Sequence, residues 1–328
     1  MRAFIVSCWL AVLGCSSESL TAGFGEPIRV RYGGTRNAQF FTGDLPGSKP
    51  LSSEEILTGV TPKLPSTTLT TARGVALQAD SGFVLSGVTS KEAVAVAIRF
   101  ADLGTGYWVL PVTSQDPALP GTFTWSGTAD FGTGIEPGRH PLRVVAIDGA
   151  GHAGTQSETS LCVASAVPDN LSACSAGSNP PSTVLSMKWD APVDLDLRVI
   201  TPQGKIVDPK HPSTAIANNG QDDVTAKGTG VFDRDSVRGC VRDGYQRENL
   251  VWQDSPLPGT YFVYASLYDS CGQASVRFNV SINRPGPELD GGTQPLTSTY
   301  DLTGELLAVD ADSGAKLGLF VTEFIVQQ

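Results

Sequence analysis

Two carboxylate pairs, Asp194/Asp196 and Asp233/Asp235, are the residues best placed to do chemistry, with Asp190 close by. Residues at i and i+2 of an extended strand point to one face, about 7 Å apart at Cα. Four like charges converging on one face would repel and raise one another's pKa. A Ca²⁺ ion, held by several hard oxygens at about 2.3–2.6 Å, would reverse that penalty. Asp190, Asp194, Asp196, Asp233 and Asp235 are therefore the candidate ligands of a calcium ion. The same residues have a structural alternative, in which each caps a turn or accepts backbone N–H groups. Lys188, Arg198 and Arg234 would then supply counter-charge. No contiguous D-x-[DN]-x-[DN]-G loop occurs, so a metal site would have to be assembled from separate strands. Asp310-Ala311-Asp312-Ser313-Gly314 resembles a calcium loop superficially and is better explained as a hairpin turn.

Other chemistry is sparsely provided. The sequence has no G-x-S-x-G, H-E-x-x-H or P-loop, and only three histidines, His140, His152 and His211. His152 near Asp148 reads as a loop residue, and Trp108 and Trp125 as packing. A paired-carboxylate hydrolase is the third functional reading, behind two non-catalytic ones.

The elements that would position these residues are strands. The chain of 328 residues carries 36 Gly and 22 Pro, which favours short strands joined by tight turns. Apolar residues alternate in several stretches, and none recurs at helical spacing over a long one. Only Ser52–Leu57 offers a short helix, opened by Ser52 and followed by acidic residues. The fold class is therefore all-β, two β-sandwich domains in tandem with a C-terminal β-hairpin. A net charge of −10 excludes nucleic acid as a partner, because phosphate binding needs a basic face.

Met1-Arg2 and the apolar run Ala3–Leu13 have the make-up of a signal peptide, too short to span a bilayer as a permanent helix. Val12-Leu13-Gly14-Cys15 resembles the bacterial lipobox. That resemblance implies lipidation of Cys15, a membrane anchored through the N-terminal lipid, and an outer-membrane destination because Ser16 follows. Four further cysteines, Cys162, Cys174, Cys240 and Cys271, make an even number in an exported chain and read as two disulfides. Three connectivities are open; Cys162–Cys174 with Cys240–Cys271 is the local choice.

Strand signals recur from Val75 to Val163, and Pro137–His152 resembles the closing hairpin of bacterial immunoglobulin-like modules. Further on, Leu185–Asp190, Asp194–Val199 and Thr201–Gly204 resemble the opening of YfaP-like domains. Gly230–Asp235, Gly244–Trp252 and Pro256–Ala265 match that family's later motifs in order. The resemblance implies a compact β-sandwich without established enzymatic activity, of the kind carried by exported proteins. Cys240, Cys271 and the insert Asp208–Thr229 depart from the family pattern, and the insert reads as a flexible loop.

The resulting division is a signal peptide at 1–14, a tether and N-terminal extension at 15–71, and an immunoglobulin-like sandwich at 72–165. A linker at 166–181 leads to the YfaP-like sandwich at 182–284, and a linker with the hairpin fills 285–328. Gly138 to Asp148 and Gly259 to Asp269 share a ten-residue spacing, a hint of one hairpin design used twice. The function expected is a non-catalytic lipoprotein module of the bacterial cell envelope, with a structural or partner-binding role. The alternative is calcium-dependent adhesion or carbohydrate binding through the Asp-rich face. The partner, an envelope protein or a glycan, is not specified by the residues.

Overall fold

The structure, a computed structural model, describes residues 23–34, 36–47, 63–218 and 221–327. The signal-like run, Cys15, the helical possibility at 52–57 and Asn219 lie outside the described residues.

The architecture is all-β, with sheets stacked as sandwiches. Up to residue 164 the strands are β1 (Ile28–Tyr32), β2 (Arg36–Asn37), β3 (Gln39–Thr42), β4 (Thr70–Thr71), β5 (Val75–Leu77), β6 (Phe83–Ser90), β7 (Ala93–Phe100), β8 (Gly106–Pro111), β9 (Ser114–Gln115), β10 (Thr122–Phe131), β11 (Gly138–Asp148) and β12 (Ser157–Ala164). One sheet runs β2-β1-β10-β6-β4, with β9 on β10; the other runs β3-β8-β7-β11-β12-β5. Strands β1 to β3 fall in the stretch that composition reads as an extension, yet β1 pairs with β10 and β3 with β8. Both tryptophans are packing residues. The indole N–H of Trp108 donates to the Ile28 carbonyl at 2.8 Å and that of Trp125 to the Thr67 hydroxyl at 2.9 Å.

Compactness divides the chain into two units. Of the described residues, those up to 73 group with 80–133 and 140–160, and residues 74–79 and 134–139 group with those from 161 onward. The later strands are β13 (Thr183–Trp189), β14 (Asp194–Ile200), β15 (Ile206–Val207), β16 (Ala217–Asn218), β17 (Gln221–Asp222), β18 (Gly230–Phe232), β19 (Arg247–Trp252), β20 (Gly259–Asp269), β21 (Ser275–Pro285), β22 (Leu296–Leu307) and β23 (Leu319–Val326). They build the sheets β18-β19-β13-β21-β22 and β15-β14-β20-β23, and β16 pairs with β17 alone. Alternation places Leu185 and Met187 of one sheet, and Leu195, Leu197 and Val199 of the other, in a single buried core.

Two stretches read as linker or loop are integrated into the second unit. Within 166–181, Ser172 is fully buried and its hydroxyl donates to the Gln294 carbonyl at 3.0 Å. Asn170 donates to the Gln253 side chain at 2.9 Å. Small side chains let this segment lie close against the sandwich, where composition alone suggests a linker. The start of the expected flexible insert is likewise packed. Asp208, Ser213, Thr214 and Ala215 are buried, and the Gly230 N–H donates to the Thr214 hydroxyl at 2.7 Å. The expected C-terminal hairpin does not form: β22 pairs with β21 and β23 with β20, so the two strands are edges of different sheets and the turn at 310–314 passes from one sheet to the other.

Both local disulfides form, Cys162–Cys174 with Cα atoms 5.7 Å apart and Cys240–Cys271 with Cα atoms 5.5 Å apart. Phe324 of β23 stacks on Tyr261 at 4.8 Å between ring centroids and meets Trp252 edge-on at 6.3 Å. The Tyr261 hydroxyl, in turn, donates to the Leu257 carbonyl at 2.9 Å. Removing a buried aromatic ring costs the lost transfer energy plus a cavity. Phe324→Ala should therefore destabilise the second unit by about 3–5 kcal/mol. Urea denaturation followed by tryptophan fluorescence checks this, and a change below about 1 kcal/mol would mean that β23 is an accessory strand.

Candidate metal centre

Strand β14 has no solvent face. Leu195, Leu197 and Val199 fill the core, while Asp194, Asp196 and Arg198 on the opposite face are only 3%, 4% and 6% exposed. Three segments cover that second face. The turn at 208–211 brings Asp208 to 3.6 Å from Arg198 Nε. The loop between β22 and β23 places the Gly314 and Lys316 carbonyls on Arg198 Nη1. The chain after β18 brings Asp235 and a tight 3₁₀ turn, Arg238–Cys240, over Asp194.

The turn donates the Gly239 N–H to Asp194 Oδ2 at 2.7 Å. Val237, Gly239 and Cys240 all have positive φ, at 60°, 57° and 64°. A left-handed conformation costs a non-glycine residue about 1–2 kcal/mol, and it is rarest for β-branched side chains such as that of Val237. Burial of Val237 in the core and the bridge from Cys240 to Cys271 hold the turn in this shape.

Ligand oxygens of Asp194, Asp196 and Asp235 lie within 4.8 Å of one another. Oxygens at about 2.3–2.6 Å from a shared Ca²⁺ can be separated by up to about twice that distance, so the grouping has the size such an ion requires. Two buried oxygens of this group have no hydrogen-bond partner, Asp196 Oδ2 and Ser266 Oγ. Ser266 is the cross-strand partner of Asp196 on β20, so both side chains rise from the same face. The cation Arg198 places its Nη2 at 3.7 Å from Asp196 Oδ2.

Glu248 adds a further carboxylate. It is fully buried, accepting from the Leu197 N–H at 2.8 Å and from the Ser236 N–H at 3.3 Å. Asp194, Asp208, Asp235 and Glu248 thus lie close enough to Asp196 to act on its charge or feel it, and the buried guanidinium of Arg198 lies within 4 Å of Asp196 and Asp208. At the rim Lys210 lies 3.9 Å over the Tyr268 ring and Arg238 is 3.6 Å from Asp235. Burial, reinforced by the Asp194 charge and only partly offset by Arg198, pushes the Asp196 carboxyl up to about 7. Burial also raises Asp194 and Asp235, and lifts Glu248 well above the ordinary glutamate range. Without a cation this cluster holds protons near neutrality; with one, it supplies at least three hard oxygen donors and leaves positions for water.

The remaining sequence candidates are placed elsewhere. Strand β18 ends at Phe232, so Asp233 and Asp235 do not repeat the two-residue strand spacing of Asp194 and Asp196. Asp233 instead accepts from the Asn249 backbone at 2.9 Å and its side-chain amide at 2.8 Å. Asp190 accepts from the Arg277 N–H at 2.9 Å. Asp310 and Asp312 accept from the Leu307 and Gly314 N–H groups, as a turn requires. Conversely, Glu248, Asp208 and Ser266 belong to the cluster without having been singled out for it. Glu248 was findable, because it alternates with Leu250 and Trp252 and so lies on the core face of β19.

The raised carboxyls fix the sign of a pH effect. A carboxyl held near 7 when folded and near 4 when unfolded favours the folded state fully below about pH 4, and that advantage is lost as pH rises through 7. In chelator, Asp196 alone should remove on the order of 4 kcal/mol between those limits. The melting temperature in EDTA should therefore fall from pH 5 to pH 8, and Asp196→Asn should flatten the slope. A wild-type profile that rises over this interval would contradict the assignment.

No family model and no curated protein sequence matches the chain. Among solved structures it is similar to the major pilin subunit BcpA of Bacillus cereus, with a TM-score of 0.21 and 10% identity over 74% of this chain and 66% of the pilin. It is similar to the adhesin InvE of Yersinia pseudotuberculosis, with a TM-score of 0.21 and 15% identity over 71% of this chain and 57% of the adhesin. Fibronectin(III)-like modules of Clostridium thermocellum CbhA align with a TM-score of 0.16 and 12% identity, over 76% of this chain and 97% of theirs. The chain thus spans less than two thirds of the pilin and of the adhesin.

Proposed function

We propose that this protein is a non-catalytic lipoprotein of the bacterial cell envelope whose second, YfaP-like unit is a calcium-binding β-sandwich module. Asp194, Asp196 and Asp235 are the calcium ligands, with Ser266 Oγ and water completing the shell. The observation that carries the reading is the Asp196 carboxylate, buried, raised in pKa, and with one oxygen free of any hydrogen bond at the centre of an acidic group. Buried polar atoms are almost always satisfied, and a free one marks a strained, catalytic or ligand-accepting place. Catalysis is disfavoured, because Asp194 and Asp196 are covered by three chain segments and offer a substrate no approach of ordinary size.

Export accounts for the chemistry around the site. Calcium at millimolar levels and an oxidising environment belong to compartments outside the cytoplasm, where weak extracellular calcium modules and disulfides operate. Lipidation at Cys15 would hold the protein on a membrane, leaving its units free to engage an envelope protein or a glycan.

Calcium at about a hundred times its dissociation constant stabilises a binder by about 2.7 kcal/mol, or roughly 5–10 °C for a domain of this size. Scanning calorimetry should show that rise in the wild type and in Asp233→Asn, and no rise in Asp196→Asn. In chelator Asp196→Asn should melt higher than the wild type at pH 8, since it removes a buried charge. Absence of a calcium-dependent rise in the wild type would return the cluster to a purely structural role. Separately, Cys15→Ser should move the protein from the membrane fraction to the soluble one. Continued sedimentation with membranes would argue against the lipid anchor.

A further inference from the structure

The two disulfides sit in opposite environments. Cys162 and Cys174 are 2% and 6% exposed, sealed in the interior. Cys240 is exposed and Cys271 half-buried, so a reductant in solvent reaches that bridge first. This accessible bridge closes on the calcium cluster from both ends. On one side, Cys240 is the residue after Gly239, whose N–H holds Asp194, and lies five residues after Asp235. On the other, Cys271 follows Asp269, which is paired with Asp194 across β14 and β20 and accepts the Cys271 N–H at 2.7 Å.

We infer that the Cys240–Cys271 disulfide is the positioning device of the calcium site, and that its reduction weakens calcium binding while leaving the sandwich folded. The inference rests on the calcium reading above and adds a redox input to it. The reasoning is geometric. Residues 237, 239 and 240 are held in left-handed backbone conformations, and the exposed part of the turn, 238–245, carries no apolar anchor into the core. The Gly239–Asp194 hydrogen bond and the bridge tie the Gly239–Cys240 end of that exposed part to the strands β14 and β20, while Asp243, accepting from the Ser236 hydroxyl at 3.0 Å, and Tyr245, under Arg234 at 3.8 Å, hold its far end to the chain after β18. Opening the bridge by two-electron reduction, with a dithiol such as dithiothreitol oxidised in exchange, yields two thiols and frees the turn to relax. Gly239 then leaves Asp194, and the segment that presents Asp235 loses its fixed end. Val237 and the hydrophobic layers stay in place, because none of the core contacts runs through Cys240 or Cys271. By linkage, calcium must protect the same bridge by the factor that the bridge contributes to calcium affinity.

Isothermal titration of the full chain with calcium chloride, oxidised and as Cys240→Ser with Cys271→Ser, tests this directly. The expected result is affinity weakened by about tenfold or more in the double variant, with an unchanged circular-dichroism spectrum in chelator. Should the double variant not fold, the wild type supplies a second measurement. Dithiothreitol reduction, with alkylation and peptide mass spectrometry, should be about tenfold less favourable at Cys240–Cys271 in calcium than in EDTA, with Cys162–Cys174 unaffected. Equal calcium affinity with and without the bridge, or equal reducibility with and without calcium, overturns the coupling. An oxidised wild type that takes up no calcium overturns the calcium reading and the coupling with it.

Discussion

In most sandwich strands one face is apolar and the other meets water; β14 has to bury both. Its apolar side fits the core without difficulty. The other side carries Asp194, Asp196 and Arg198 into a place where a carboxylate must be paired, protonated or bound to a metal. One guanidinium cannot balance the carboxylates gathered there. The surrounding architecture follows from this imbalance. Glu248 spends both oxygens on backbone N–H groups, Gly239 covers Asp194, and the carbonyls of Gly314 and Lys316 orient Arg198 away from full pairing with Asp196. What is left over is one oxygen of Asp196, whose cross-strand neighbour Ser266 has a hydroxyl without a partner either.

Covering that face requires chain from far apart in sequence. Asp194 meets Gly239 across 45 residues and Arg198 meets Gly314 across 116. Such contacts are entropically costly to close, and two features reduce the cost. The Cys240–Cys271 bridge ties the covering turn to the end of β20, so the turn and the strand that pairs with Asp194 move as one. Strand β23 is locked by Phe324 in the aromatic cluster of Tyr261 and Trp252, which fixes the loop that reaches Arg198. Stability of the core and geometry of the site are therefore coupled through the edge strands.

How much of this is legible in the sequence depends on the range of the interaction. Alternation predicts the strands, because side-chain direction is a local property; β7, β11, β14 and β20 are readable from their own residues. The ten-residue spacing from Gly to Asp corresponds to two strands of equal length, β11 and β20, and each closing Asp accepts N–H groups of the turn that follows. Local disulfide pairing is readable for the same reason. Asp194 and Asp196 are correctly placed on one face by their spacing. Asp233 and Asp235 have the same spacing but follow the end of a strand, and strand ends are poorly marked in sequence. The packing of 166–181 and 208–215 is not legible, since small and polar residues signal turns whether or not something lies over them.

The repeated strand also separates what the fold needs from what it does not. In the first unit Asp148 ends β11 and pairs with Ala93, and Val145 pairs with Ala97. In the second, Asp269 ends β20 and pairs with Asp194, and Ser266 pairs with Asp196. The spacing of 121 residues relates Asp148 to Asp269 and Val145 to Ser266, so Ala93 and Ala97 occupy the positions that Asp194 and Asp196 hold. Each pairing has a register shift next to its closing Asp. Alanine meets every demand of that pairing: it is buried, needs no hydrogen bond and leaves the ladder intact. A carboxylate there brings desolvation and repulsion, and the ladder gains nothing from it. The closing Asp is thus turn chemistry common to both strands, whereas the acidic face of β14 gives the ladder nothing and gathers carboxylates that could bind a metal ion.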